Sequence, residues 1–148
     1  MDDEYYMMKA LNLALVAAAR DEVPVGAVVV KDNNIIAKAY NRREETKDPA
    51  AHAEFLAIQE ACEKLNTWRL NDCTVYVTLE PCIMCAGLMQ QVRIERCVFG
   101  AYDKKCGALS SLYKINEDKR LNHTFEAKGG VFGAECGRLL TTFFKTKR

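Results

Sequence analysis

Two short patterns stand out for the chemistry their residue types could perform. His52-Ala53-Glu54 places an imidazole two positions before a carboxylate. Pro81-Cys82-Ile83-Met84-Cys85 places two thiols three positions apart, so on a helix they share a face and can reach one ion. One imidazole and two thiolates form a borderline-soft set suited to zinc, and the two thiolates balance the charge of the ion. The only other histidine is His123, and the remaining cysteines are solitary. Three protein ligands and no fourth describe an open, catalytic zinc rather than a closed structural one. Such a site holds a water whose pKa is lowered toward neutrality. Glu54, beside the histidine ligand, is placed to carry protons between that water and a leaving group. A lone Cys-x-x-Cys would equally suit a thioredoxin-like redox pair, and a lone His-x-Glu is a weak signal. His52 argues against the redox reading, and Glu54 against a purely structural metal.

Both patterns need helix openings to position them. Tyr6, Leu11, Ala14, Leu15 and Ala18 recur at helical spacing and predict a helix over 5–20, stopped by Pro24. Ala27–Val30, the turn residues Asp32-Asn33-Asn34 and Ile35–Ala37 predict a β-hairpin. A polar loop runs on through Asp48-Pro49. A helix from about Ala51 to Leu65 would put His52 and Glu54 in its first turn, with Phe55, Ile58, Ala61, Cys62 and Leu65 on one face. Thr74–Thr78 is a strand, Pro81 suits the first turn of a helix from Cys82 to about Val92, and Arg96–Phe99 is the next strand. The stretch from Gly100 to Asn122 is loop-rich with room for a short helix. Thr124–Ala127 is a weaker strand, and a last helix spans about Phe132 to Lys145. Alternating strands and helices indicate an α/β fold of three layers, α/β/α. The early hairpin makes its central sheet, of about five strands, a mixed one.

The chain of 148 residues, without repeats or low-complexity stretches, reads as one domain over 1–148. Net charge is +1, but unevenly spread: residues 1–100 carry 11 Lys+Arg against 15 Asp+Glu, and 101–148 carry 10 against 5. The basic end, with Lys145, Lys147 and Arg148, could meet phosphates or merely solvate a surface helix. Seven cysteines, an odd number, follow an acidic start with no signal-peptide pattern, which points to a reducing, cytoplasmic setting. No apolar run is long enough to span a membrane. Cys62 and Cys97 fall at core positions, while Cys73, Cys106 and Cys136 have no assignment.

His-Ala-Glu followed by Pro-Cys-x-x-Cys resembles the motif pair of the cytidine deaminase superfamily, the known signature of zinc-dependent nucleobase deaminases. The likeness extends through Val23-Pro24-Val25-Gly26-Ala27, Asn41-Arg42, Asp48–Glu54, Thr78–Gly87, Val98–Ala101, Asp103, Asn122-His123 and Phe143-Phe144. In these segments the chain is similar to the bacterial tRNA-specific adenosine deaminases. The resemblance implies conversion of a wobble adenosine to inosine by a zinc-activated water at C6, with one Zn²⁺ per subunit, a tRNA anticodon stem-loop as partner and a homodimer. It implies that Asn41 holds the target nucleotide, that Val25 and Leu79 wall the base pocket, and that Asp103 meets the neighbouring nucleotide. Phe144 and the basic C-terminal helix would lie against the RNA. The sequence departs from the family pattern at Leu109-Ser110 and in the charged segment 116–120. A deaminase of free guanine or cytosine, or of a nucleotide, shares the motifs at the metal. A non-catalytic zinc-stabilised RNA-binding subunit would not need Glu54.

Overall fold

A computed structural model describes residues 2–147. Its elements in chain order are α1 (Asp3–Ala19), β1 (Gly26–Lys31), β2 (Asn34–Tyr40), α2 (Arg43–Thr46), α3 (Ala53–Leu65), β3 (Cys73–Leu79), α4 (Ile83–Gln91), β4 (Arg96–Ala101), β5 (Glu126–Lys128) and α5 (Gly133–Thr146). One five-stranded sheet joins them in the order β2-β1-β3-β4-β5. The hairpin β1–β2 is antiparallel, as is β1–β3, while β3, β4 and β5 run parallel. The sheet is therefore mixed, and the expected α/β/α layering holds.

The hairpin turn is two residues long, Asp32 and Asn33, both with left-handed φ (52° and 61°). Asp and Asn tolerate that region, and two-residue turns of this kind match strand twist. β1 and β3 are buried on both faces and read as continuous apolar runs, as central strands do. One face of the sheet carries α3 and α4 over a core that includes Val29, Val75, Val77, Ile58, Met89 and Phe99. The other face packs α1 through Tyr6, Met7 and Ala10 against Val28, Val30, Tyr76 and Val98, with Phe132 at the head of α5.

Several expectations shift. α1 starts at Asp3, where the Asp2 carboxylate accepts from the Tyr5 N–H (3.0 Å). Its buried face is Tyr6, Met7, Ala10, Ala14 and Ala17, while Leu15 is exposed. The helix comes so close that a Cβ on Gly26 would overlap the Ala10 carbonyl, and the residues that meet the strand there are Ala10, Leu13 and Ala14. The expected polar loop before Pro49 contains the short helix α2. Pro81 lies just before the N-cap Cys82, not inside the helix. The final strand falls later, at Glu126–Lys128, and the loop-rich stretch contains only a 3₁₀ turn at Ile115–Glu117. Cys73 and Cys136 join Cys97 as buried core residues, while Cys62 is half-buried and Cys106 exposed. No described helix is long and apolar enough to cross a membrane.

Candidate metal centre and its cleft

α3 and α4 both begin at one end of the sheet, and each begins on a predicted ligand. His52 is the N-cap of α3 and Cys82 the N-cap of α4, both with extended backbone (φ −74°, ψ 149° and φ −76°, ψ 176°). N-caps usually spend their side chains on the first-turn N–H groups. Neither of these does, so the imidazole and the thiol are free for an ion. Their carbonyls still start the helices, accepting from Leu56 and Ala86 (3.0 and 2.9 Å).

Cys85, one turn into α4, completes the group. The Sγ atoms of Cys82 and Cys85 lie 3.7 and 3.5 Å from His52 Nδ1. All three donor atoms lie within 4.8 Å of one another, forming the one His/Cys/Asp/Glu cluster of metal-binding geometry among the described residues. Ligands at about 2.3 Å for sulfur and about 2.0 Å for nitrogen around one tetrahedral ion stand roughly 3.6 Å apart, so the measured spacings fit. The electrostatics fit as well. Hydrogen bonding from Cys85, and then from His52, holds the Cys82 thiol down to about 3. The bond to Cys82, then burial and the Glu54 carboxyl, push the Cys85 thiol far above its ordinary range. A divalent cation bound here would supply the charge that lets both thiols ionise. The two helix N-termini add partial positive charge at the same place. His123, the remaining histidine, donates from Nε2 to the Ile94 carbonyl (2.8 Å) and stacks near Phe125, so it is engaged elsewhere.

Glu54 is buried in the first turn of α3. Burial raises its carboxyl to about 7, against the pull of its own backbone N–H and of His52. A carboxyl poised there exchanges protons in both directions near neutral pH.

The metal cluster opens into a cleft of about 940 Å³, lined by Val23, Val25, Asn41, Arg43, Leu79 and Glu80 among others. Every residue expected from the sequence at this site lines it except Cys85, which is fully buried beneath. Asn41 is held by the Val23 carbonyl (Nδ2, 3.3 Å) and by the Arg43 N–H (Oδ1, 3.3 Å). Asp103 also caps its own turn, accepting from the N–H groups of Lys105 and Cys106 (3.0 and 3.2 Å). Phe144 projects from α5 with 47% of its surface exposed.

Of the rim cations the sequence singled out only Lys147, as part of the basic C-terminal end. Arg43, Lys104, Lys105 and Lys147 line the cleft from three separate segments. Lys147 also pairs with Asp21, tying the end of α5 to the turn after α1. Two buried carboxylates organise these walls. Glu22 accepts from the N–H groups of Glu44 and Glu45 (3.1 and 2.7 Å), fixing α2 and with it the Arg43 segment. Burial would raise the Glu80 carboxyl, but bonds from Ser111, Asp103 and Ser110 together hold it below its ordinary range. Single acidic residues carry no local pattern; only their distant partners reveal them.

Comparison with known proteins agrees with this geometry. The MafB19-like deaminase family matches residues 1–148. The chain is 48% identical to the tRNA-specific adenosine deaminase of Bacillus subtilis (strain 168), covering 99% of this chain and 91% of that one. It is likewise 48% identical to that of Aquifex aeolicus (strain VF5), covering 100% and 97%. A solved structure from studies of A-to-I editing by tRNA:A34 deaminases at the wobble position superposes with a TM-score of 0.88. That protein is 41% identical, with 92% of this chain and 99% of that chain covered. With a matching fold, motif geometry and near-complete coverage, this chain belongs to the MafB19-like deaminase family and stands among its tRNA-specific adenosine deaminases.

Proposed function

We propose that the protein hydrolyses the wobble adenosine of a tRNA anticodon to inosine, releasing ammonia. The observation that carries this reading is the cleft: a buried proton-shuttling carboxylate and metal cluster at its floor, and four cations from three segments at its rim. A free base needs the floor; only a polyanion needs such a rim.

His52, Cys82 and Cys85 would hold a zinc ion, which when bound supplies an acidified water beside the target carbon. Glu54 takes a proton from the attacking water and delivers it to the ring nitrogen next to C6. It then carries a second proton to the exocyclic amine, which departs as ammonia while the oxygen stays on C6. The target nucleotide must leave the stack to reach this floor. Val25 and Leu79 flank the base with apolar surface, and Asn41, pre-oriented by two hydrogen bonds, meets the nucleotide's polar edge. Asp103 faces the next nucleotide and Phe144 offers a ring for stacking at the mouth. Arg43, Lys104, Lys105 and Lys147 would meet the phosphates.

The chain acts as one domain in the cytoplasm and pairs as a homodimer through the exposed apolar residues Ile83 and Met84 of α4 with Leu112 and Tyr113. Sedimentation of the purified protein tests this, and a monomer at micromolar concentration would refute the dimer. The function is tested by incubating zinc-loaded protein with an anticodon stem-loop carrying a wobble adenosine. Mass spectrometry should show inosine at that position; deamination of free guanine or cytosine without inosine would overturn the assignment.

A further inference from the structure

Glu80 takes no part in the proton transfers above, yet it is a fully buried carboxylate beside the metal cluster, 2% exposed. It follows the last residue of β3 and stands two residues before the ligand Cys82. Its Oε1 accepts from the Asp103 N–H (3.0 Å) and from the Ser111 hydroxyl. Its Oε2 accepts from the N–H groups of Leu109, Ser110 and Ser111 (3.2, 2.8 and 2.9 Å). An ionised carboxylate offers about four lone-pair sites, so its accepting capacity is filled from one segment of chain.

That segment, residues 102–113, contains no helix or strand. It wraps around the carboxylate so tightly that a Cβ on Gly107 would overlap the Glu80 carboxyl group. Its other ties are mostly local: Lys105 and Cys106 N–H to the Asp103 carboxylate (3.0 and 3.2 Å), Gly107 N–H to the Asp103 carbonyl (2.8 Å), and Leu112 and Tyr113 N–H to the Gly107 carbonyl (2.9 and 3.4 Å), with Ala108 bonded through its N–H to the Pro81 carbonyl (2.9 Å) and through its carbonyl to the Ile115 N–H (3.1 Å). The same segment presents Tyr102, Asp103, Lys104, Lys105 and Cys106 to the cleft. The metal floor rests on the apolar packing of Ala53, Ala57, Ile58, Ala86 and Met89 beneath α3 and α4, a core that the segment joins only through Ala108 and Leu109.

We infer that Glu80 is a positioning residue: its carboxylate moulds the 102–111 wall into the shape that receives the nucleotides flanking the target. Its position in the chain, beside Cys82, links that wall to the metal floor. The functional half of this inference rests on the RNA reading above; the structural half does not. The charge and the count of acceptors are what matter. Glu80→Gln keeps the volume but turns two protons toward N–H groups that already point inward, leaving at least one buried donor without an acceptor.

The test uses the zinc-loaded Glu80→Gln protein in three measurements. Metal analysis should still give one zinc per chain. Amide hydrogen exchange across 102–113 should accelerate about tenfold or more, the scale of losing charge-assisted hydrogen bonds, while α3 stays protected. With a wobble-adenosine stem-loop, KM should rise about tenfold with a much smaller change in kcat, the mark of lost binding rather than lost chemistry. Unaltered exchange in 102–113, or loss of zinc, overturns the moulding role. Accelerated exchange with unchanged KM, or a fall in kcat alone, overturns its link to substrate. Should Glu80→Gln not fold, Ser111→Ala removes a single donor and should accelerate exchange in the same segment by a smaller factor; no acceleration there sinks the inference. The exchange and metal measurements remain decisive even if no tRNA is a substrate.

Discussion

The floor and the walls of the cleft are built in opposite ways. The floor takes His52, Glu54, Cys82 and Cys85 from two helix starts, each within a turn of its partners in sequence and each backed by the apolar core. The walls take their residues from Val23 and Val25, Asn41 and Arg43, 101–106 and the C-terminal end from α5 to Lys147, and two buried carboxylates hold much of the irregular backbone at long range. A reaction needs few atoms at fixed spacing, which a helix turn provides. Recognition of a folded RNA needs a broad surface, which only distant segments brought together can provide. Chemistry and substrate choice are thus separable within one cleft.

The largest expected effect lies at the floor. Glu54→Ala should lower deamination by about 10³-fold or more, as loss of a general acid–base does, while zinc stays bound because Glu54 is not a ligand. Release of the metal in that variant would erase the distinction between shuttle and ligand. A wall change should act on RNA and spare the chemistry. Removing Phe143 to Arg148 should reduce kcat/KM on a stem-loop by about 10- to 100-fold, a loss of about 1.4–2.7 kcal/mol in binding. Arg148 lies outside the described residues, and the weight of this prediction falls on Phe144 and Lys147. An equal loss of activity on free adenosine would remove the contrast between wall and floor.

A milder wall change sharpens the electrostatic part. Lys105→Ala should raise KM a few-fold at low salt and make log KM less steep against log salt by about 0.7, the share of one phosphate contact in a single strand. An unchanged salt slope would mean that Lys105 meets no phosphate.

The smallest effect on activity is expected on the face away from the metal. There the Asp3 carboxylate accepts from Arg96 (3.0 Å twice), the Tyr76 hydroxyl (2.7 Å) and Lys128 (3.0 Å). The Arg96 bonds foremost hold its carboxyl well below the ordinary Asp value. Asp3→Asn should cost about 2 kcal/mol of stability at neutral pH and leave kcat/KM near the native value. A depressed carboxylate stabilises the fold above the pKa of the unfolded chain and loses that contribution as pH falls toward the folded value. The stability gap between native and variant protein should therefore hold at neutral pH and close below about pH 4. Urea melts at neutral and acidic pH measure it, and a gap that widens in acid would contradict the ion-pair account.

Legibility followed the same division. The ligands could be read because the types are rare and the spacings short, and the structure brings all three within metal-binding reach. The hairpin was plain from Asp32-Asn33 between apolar runs, α3 from its periodicity and α4 from the proline before Cys82. In α1 Tyr6 and Ala14 were rightly read as core, but Leu15 was not: the residues that meet Gly26 are Ala10, Leu13 and Ala14, and Leu15 is exposed. Glu22 and Glu80 were passed over because an isolated acid looks alike on a surface or at the centre of four N–H groups.

The sequence by itself pointed to the candidate donor set, to the candidate shuttle and to the alternation of strands and helices, since these depend on residue types a few positions apart. Only the tertiary structure decided which cations share a rim, which loops form walls and where Asn41, Asp103 and Phe144 converge. Those outcomes depend on sheet order and on long-range hydrogen bonds, such as that by which Ser111 meets the carboxylate of Glu80, 31 residues away.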